Sequence, residues 1–179
     1  KFDRSTGALR SGFPKRYSVS QGLSFDAAIL HAGRLYTAGA CSLGDNATTF
    51  GLACLDATSG EPLWCSSNPA PAGQTMHLEA RDLIFTNDDG DALVVVGSGD
   101  DQHSPVQGSH IFLQKSRLDG SLLWIKKIDL PDWTGEFAEE VVAVSDGYLI
   151  YGHSRNPAEA GVFLLKTDKN GQTKWARKI

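Results

Sequence analysis

The chain has 179 residues, 41% of them apolar and 21% charged, a balance that suits one ordinary globular domain with a sizeable core. Its formal net charge is −4 and its Lys and Arg residues are scattered, so it lacks the basic stripe that nucleic-acid binding requires. No apolar run approaches the roughly 18 residues of a membrane-spanning helix, and no transmembrane segment is expected.

Taken in order, the chain opens on Phe2 to Leu9, which reads as a hairpin around Gly7. A full unit follows. Ala27 to His31 is a short strand, Ala32-Gly33 a turn, and Arg34 to Ala40 a second strand. A polar loop covers Ser42 to Thr49, then Phe50 to Leu55 and Glu61 to Ser66 form two more strands around Ser59-Gly60. The second unit repeats this: Leu83 to Thr86, the Asn87-Asp88-Asp89-Gly90 turn, Ala92 to Gly97, a loop reaching Ser109, Ile111 to Lys115, and Leu122 to Ile128. The third runs Glu140 to Val144, Ser145-Asp146-Gly147, Tyr148 to Gly152, a loop from Ser154 to Ala160, Val162 to Lys166, and Lys174 to Ile179. Each unit is a four-stranded antiparallel meander, with turn chemistry at every break.

Counting fixes the register of the repeat. First-turn glycines fall at Gly33, Gly90 and Gly147, and second-strand glycines at Gly39, Gly97 and Gly152. The hairpin glycines Gly60, Gly120 and Gly171 are each followed four residues later by a tryptophan: Trp64, Trp124 and Trp175. A period of roughly 50–60 belongs to propeller blades and solenoids. Gly7 precedes Gly60 by 53, with Ser11 in the tryptophan slot, so the chain enters midway through a unit. The predicted units are 1–22 (partial), 23–70, 77–130 and 136–179, in a single domain without a flexible linker.

The cysteines number three: Cys41, Cys54 and Cys65. A two-residue Ser59-Gly60 turn would set residues whose numbers sum to 119 opposite each other, which places Cys54 against Cys65. Cross-strand Cα separations of about 4.5–5.5 Å lie within reach of a disulfide. A disulfide and a pair of buried thiols are both compatible with that placement. Asn46-Ala47-Thr48 is a glycosylation sequon, and the start Lys1-Phe2-Asp3-Arg4 has neither an initiator Met nor a signal-peptide pattern. The expectation is an exported protein, extracellular, periplasmic or at the cell surface, with a leader removed or as a piece of a longer polypeptide.

The stretch Leu55-Asp56-Ala57-Thr58-Ser59-Gly60-Glu61-Pro62-Leu63-Trp64 resembles the repeat of the pyrroloquinoline-quinone-like β-propellers, in which an Asp-x-x-Thr-Gly-x-x-x-Trp hairpin closes each blade. The later copies, Asp146-Gly147-Tyr148-Leu149-Ile150-Tyr151-Gly152 and Lys166-Thr167-Asp168-Lys169-Asn170-Gly171-Gln172-Thr173-Lys174-Trp175, look more like propeller repeats of secreted and surface bacterial proteins. The resemblance spans nearly the whole chain and rests on short structural motifs. It implies an all-β fold, a β-propeller of four-stranded antiparallel blades with about three full blades and a partial one. Closed propellers typically use four to eight blades. Three sheets would leave two apolar faces uncovered, which implies a fragment of a larger propeller or copies that associate to complete a ring.

Catalytic members of that family carry a quinone and calcium on the propeller axis, with adjacent cysteines and in some a Cys-x-x-Cys-His haem site. Neither cysteine motif occurs here, and no cofactor is expected. The acidic Asn87 to Asp91 turn lacks the distal Glu and spacing of a calcium loop, and no metal site is expected. His31, His77 and His110 read as packed or surface histidines. No Gly-x-Ser-x-Gly elbow supports a Ser–His–Asp arrangement. Polar residues instead gather in loops on one face: Asp100, Asp101 and His103 in the second unit, His153 and Arg155 in the third, and Trp133 in a connection between units. Loops on a rigid scaffold are where binding residues collect. The expected function is a non-catalytic binding or scaffold module, its partner a protein or another copy completing the propeller. The competing readings are a fragment of a quinoprotein-like oxidoreductase or other propeller enzyme with its active site in blades not present, and a structural subunit that assembles through exposed blade edges.

Overall fold

The computed structural model describes residues 22–44, 47–68, 76–88, 90–101, 109–130, 135–154 and 161–179. They form twelve strands and no helix. In chain order these are β1 Ala27–His31, β2 Arg34–Gly44, β3 Ala47–Asp56, β4 Pro62–Ser67, β5 Met76–Thr86, β6 Ala92–Asp101, β7 His110–Arg117, β8 Leu122–Ile128, β9 Glu136–Val144, β10 Gly147–Ser154, β11 Gly161–Thr167 and β12 Thr173–Lys178. Consecutive strands within each set of four pair antiparallel, giving three meanders: β1–β4, β5–β8 and β9–β12. A single parallel bridge, Thr48 of β3 with His77 of β5, links the first sheet to the second, so the two are continuous by hydrogen bonding while β9–β12 form a separate sheet. Among the described residues no helix is long and apolar enough to cross a membrane.

The three sheets stack face on face. One core layer joins Tyr36, Ala38, Phe50, Leu52 and Cys54 of the first sheet to Leu78, Leu83, Leu93, Val95 and Phe112 of the second. The next joins Val94, Val96, Ile111, Leu113 and Ile128 of the second to Ala138, Val141, Tyr148, Ile150, Phe163 and Leu165 of the third. Successive side chains in a strand point to opposite faces, so Leu93 and Val95 feed one layer while Val94 and Val96 feed the other. That explains the unbroken Leu93-Val94-Val95-Val96 run: a strand buried on both faces has no polar side to show. Each such side chain taken out of water contributes about 1.5–3 kcal/mol, so the middle sheet, buried on both faces, contributes more than either outer sheet.

The recurring glycines have two distinct steric causes. Gly39, Gly97 and Gly152 sit where the first strand of each meander, or the residues leading into it, bends its backbone onto the second. A Cβ there would run into the carbonyl oxygens of Ser24, Glu79 and Phe137 respectively. In the second and third sheets the bend is a register shift, at Ala80/Asp82 and opposite Tyr151/Gly152. The turn glycines Gly33, Gly90, Gly120 and Gly171 instead need positive φ. Ala32 precedes Gly33 with φ of 47, a left-handed conformation that a methyl side chain disfavours. Ala32→Asn is expected to stabilise the fold by about 0.5 kcal/mol in urea unfolding, because asparagine tolerates that region.

The hairpins that precede each tryptophan are held by aspartate. The Asp56 Oδ1 accepts hydrogen bonds from the amides of Thr58 and Ser59 and from the Ser59 hydroxyl, at 2.9, 2.6 and 3.0 Å. Asp168 Oδ1 accepts from the amides of Asn170 and Gln172, both at 2.9 Å, and Asp119 Oδ1 from the amide of Ser121 at 2.9 Å. This local capping lengthens the first hairpin beyond a two-residue loop, and the register shifts between Cys54 and Leu55. Cys54 therefore faces Trp64, and Cys65 faces Ala53. The expected opposition of Cys54 and Cys65 is corrected by this shift: the two side chains lie on opposite faces of the sheet, and no disulfide joins Cys41, Cys54 or Cys65.

The strands also run longer than the sequence suggested. β5 begins at Met76 and β9 at Glu136, and much of the expected Ser42 to Thr49 loop is strand. Of the two outer sheet faces, that of the first sheet is not open. Thr37, Cys41, Thr49 and Ala53 are buried there, and Leu23 lies across Gly51.

Candidate interaction face

The residues singled out in the loops divide into three groups. His103, Trp133 and Arg155 lie outside the described residues, as does the side chain of Asp101, whose backbone pairs with Met76 at the end of β6. Asp100 is exposed and stands opposite His77. His153, at the end of β10, is half-buried, with Nδ1 3.3 Å from Glu139 Oε1 and its ring stacked on Phe137 at 5.6 Å between centroids. Asp100 and His153 thus occupy the same end of adjacent sheets, the end from which the connections 102–108 and 155–160 depart.

A pairing that sequence reasoning did not find lies at that end too. His110 and Asp129 face each other across β7 and the end of β8, with Nδ1 2.6 Å from a carboxylate oxygen. His110 is buried and Asp129 exposed, so the carboxylate is the solvent-facing partner. The signal was available in the register, since Ile111 opposite Ile128 places 110 opposite 129. His31 packs on Phe85 at 3.8 Å and ties the first sheet to the second, the packed one of the two roles, packed or surface, that its sequence context left open. Among the described residues no group of three or more His, Cys, Asp or Glu is arranged to hold a metal ion.

Cys54 and Cys65 are not activated nucleophiles. Burial pushes the Cys54 thiol up from its ordinary pKa, and burial followed by the neighbouring Cys41 does the same for Cys65. Both stay protonated at neutral pH, and the thiol is the unreactive form. Burial likewise raises the Tyr36 phenol, whose ring tilts against Trp64 at 6.2 Å.

Among the described residues, the outer face of the third sheet exposes Val142, Tyr151 and Trp175. Register sets two rows across it: Val142, Leu149, Lys166 and Trp175, then Glu140, Tyr151, Leu164 and Arg177. Val142 is 56% exposed, Tyr151 41% and Trp175 38%. Large apolar side chains set side by side at the surface mark an interaction site more often than single ones do. The Arg177 guanidinium lies 5.6 Å from the Trp175 ring centre. At the rim, Asp146 meets the Lys166 ammonium at 2.6 Å and that of Lys174 at 3.3 Å.

Those two lysines, Lys166 first, hold the Asp146 carboxyl below its ordinary value of 3.8. A depressed carboxylate stabilises the fold above its unfolded-state pKa, and that contribution is lost as pH falls through the folded value. Asp146→Asn is therefore expected to lower the thermal midpoint slightly at pH 7, the difference shrinking as the pH falls from the ordinary 3.8 through the lower folded-state value. Paired melts of the two proteins across that range check the sign.

No family model matches this chain, and no curated protein matches it.

Proposed function

We propose that the chain is a non-catalytic binding and scaffold module of β-propeller type, working outside the cell, in the periplasm or at the cell surface. The observation that supports this reading most is the repeated sheet-on-sheet stacking. The same glycine–tryptophan unit is used three times to build a rigid support, and the strand ends that carry its long connections gather at one end. The Asp100, His110–Asp129 and His153–Glu139 groups fringe that end and offer polar contacts to a protein partner. A charged edge protects the module from unwanted strand addition, because β12 ends the third sheet with Lys174, Arg177 and Lys178.

The test is a binding screen of the folded chain against peptide and glycan arrays. It is repeated with a variant carrying alanine at Asp100, Asp101, His103, His153 and Arg155. The reading expects a partner whose binding falls at least tenfold in the variant while the thermal midpoint holds. Quinone-dependent dye reduction by the same chain would contradict it and favour the oxidoreductase reading.

A further inference from the structure

We infer that the outer face of the third sheet is a docking face for a fourth antiparallel sheet of the same repeat, one that presents a glycine hairpin to Trp175. The inference deepens the scaffold reading above and rests on it. Its basis is that the chain shows the same interface twice already.

Trp64 of the first sheet lies on the hairpin of the second, where a Cβ on Gly120 would come within 2.8 Å of the indole. Trp124 of the second sheet lies on the hairpin of the third, where a Cβ on Gly171 would come within 2.9 Å. In both cases a tryptophan of one sheet is seated on a left-handed glycine of the next, where any side chain would displace it. Trp175 holds the corresponding place in the third sheet, paired with Lys166 as Trp124 is paired with Lys115. It is 38% exposed, with no described hairpin over it.

Three other positions follow the same rule. Val96 of β6 is fully buried, and Tyr151, its equivalent before the second-strand glycine, is 41% exposed. Ile128 at the end of β8 is 5% exposed, while Ile179, in the same place after β12, is 71% exposed. Asp82 sits opposite Val96, and its Oδ2 accepts a hydrogen bond from the Val141 amide of the next sheet at 3.0 Å. Glu140 sits opposite Tyr151 and offers a carboxylate at the equivalent place. The face thus carries the seat for an indole-capping hairpin, the aliphatic and aromatic filling, and an acceptor for a backbone amide. A sheet of this repeat supplies the complement of all three. It would be joined to β12 as the third sheet is joined to β8.

The experiment appends a second copy of residues 129–179 directly after Ile179 and labels the protein with 5-fluorotryptophan. Trp175 is assigned by Trp175→Phe, and its solvent exposure is read from the H2O/D2O shift of its fluorine resonance. The inference expects the Trp175 shift to collapse in the extended chain. It expects the shift to return when Gly171→Lys is placed in the appended copy alone. An appended unit that is digested away by protease, with Trp175 as exposed as before, overturns the inference. So does an unextended chain that sediments at twice its mass with Trp175 already protected, since a second copy would then occupy the face. Trp124 separates the two levels of the account. If it stays protected while the appended unit fails, the stacked scaffold stands and only the docking inference falls. If Trp124 is itself solvent-exposed, the scaffold reading falls with it.

Discussion

Gly97→Ala is expected to cost the fold about 3 kcal/mol or more, whereas Gly33→Ala should cost about 1 kcal/mol. The two glycines come from the same repeat, and composition alone would not rank them. Gly33 has φ of 74 and open space around its missing side chain, so alanine there meets only the left-handed backbone penalty. Gly97 is not in that region; its constraint is the Glu79 carbonyl and the Ala80 Cα, which press against the spot a Cβ would fill. Both obstacles are backbone, so relief requires β5 to shift, and β5 lies in the core between the first two sheets. Urea unfolding of the two variants gives the ranking directly. Equal midpoints would mean that the close approach of β5 to β6 is absent in solution.

The second large effect is the contrast between tryptophans of one repeat. Trp124→Ala is expected to cost about 3 kcal/mol, near the lower end for removing a large aromatic from a core. Its ring packs against the layer between the second and third sheets and covers the Gly171 hairpin. Trp175→Ala should cost under about 1 kcal/mol, because its ring covers the edge of the chain's last sheet and nothing described lies beyond it. Trp64→Ala should resemble Trp124→Ala, since Trp64 packs on the first layer and on Gly120. Chemical denaturation of the three variants checks the ordering. A cost at Trp175 as large as that at Trp124 would show that its ring is already covered.

Much of this architecture was legible from spacing. The glycine–tryptophan period located three four-stranded units, and the first-turn glycines marked the tight turns that start each second strand. The second-strand glycines were visible as a pattern, but their cause was not. It is a bend in a neighbouring strand that leaves no residue signature of its own. That bend also hid the length of β5 and β9, because the extra residues Arg81 and Glu139 break the alternation a strand normally shows. The Cys54–Cys65 placement failed for a related reason. Asp56 caps the hairpin from its side chain, and the resulting longer turn moves the register by one, which sends the two thiols to opposite faces.

The candidate site was less legible than the fold. Polar loop residues drew attention to one end of the sheets, and the contacts seen there, His110 with Asp129 and His153 with Glu139, depend on cross-strand register or on a bulge. The expectation of two open outer faces was half right. The third sheet shows an apolar face, while on the first sheet threonine, alanine and cysteine are buried beneath other residues. Nothing in the local sequence distinguishes these cases, because exposure of a sheet face is decided by what packs on it.

The central claim is that the second sheet is an interior layer, with the first and third packed on its two faces. Amide hydrogen exchange followed by mass spectrometry tests it most directly. The account predicts that β6 and β7, from Ala92 to Gly99 and from Ile111 to Ser116, exchange slowest in the chain, with Thr173 to Lys178 of β12 the fastest of the strands. Exchange of β6 at the rate of β12 would contradict it, since a strand buried on both faces cannot open as readily as one at a charged, exposed edge.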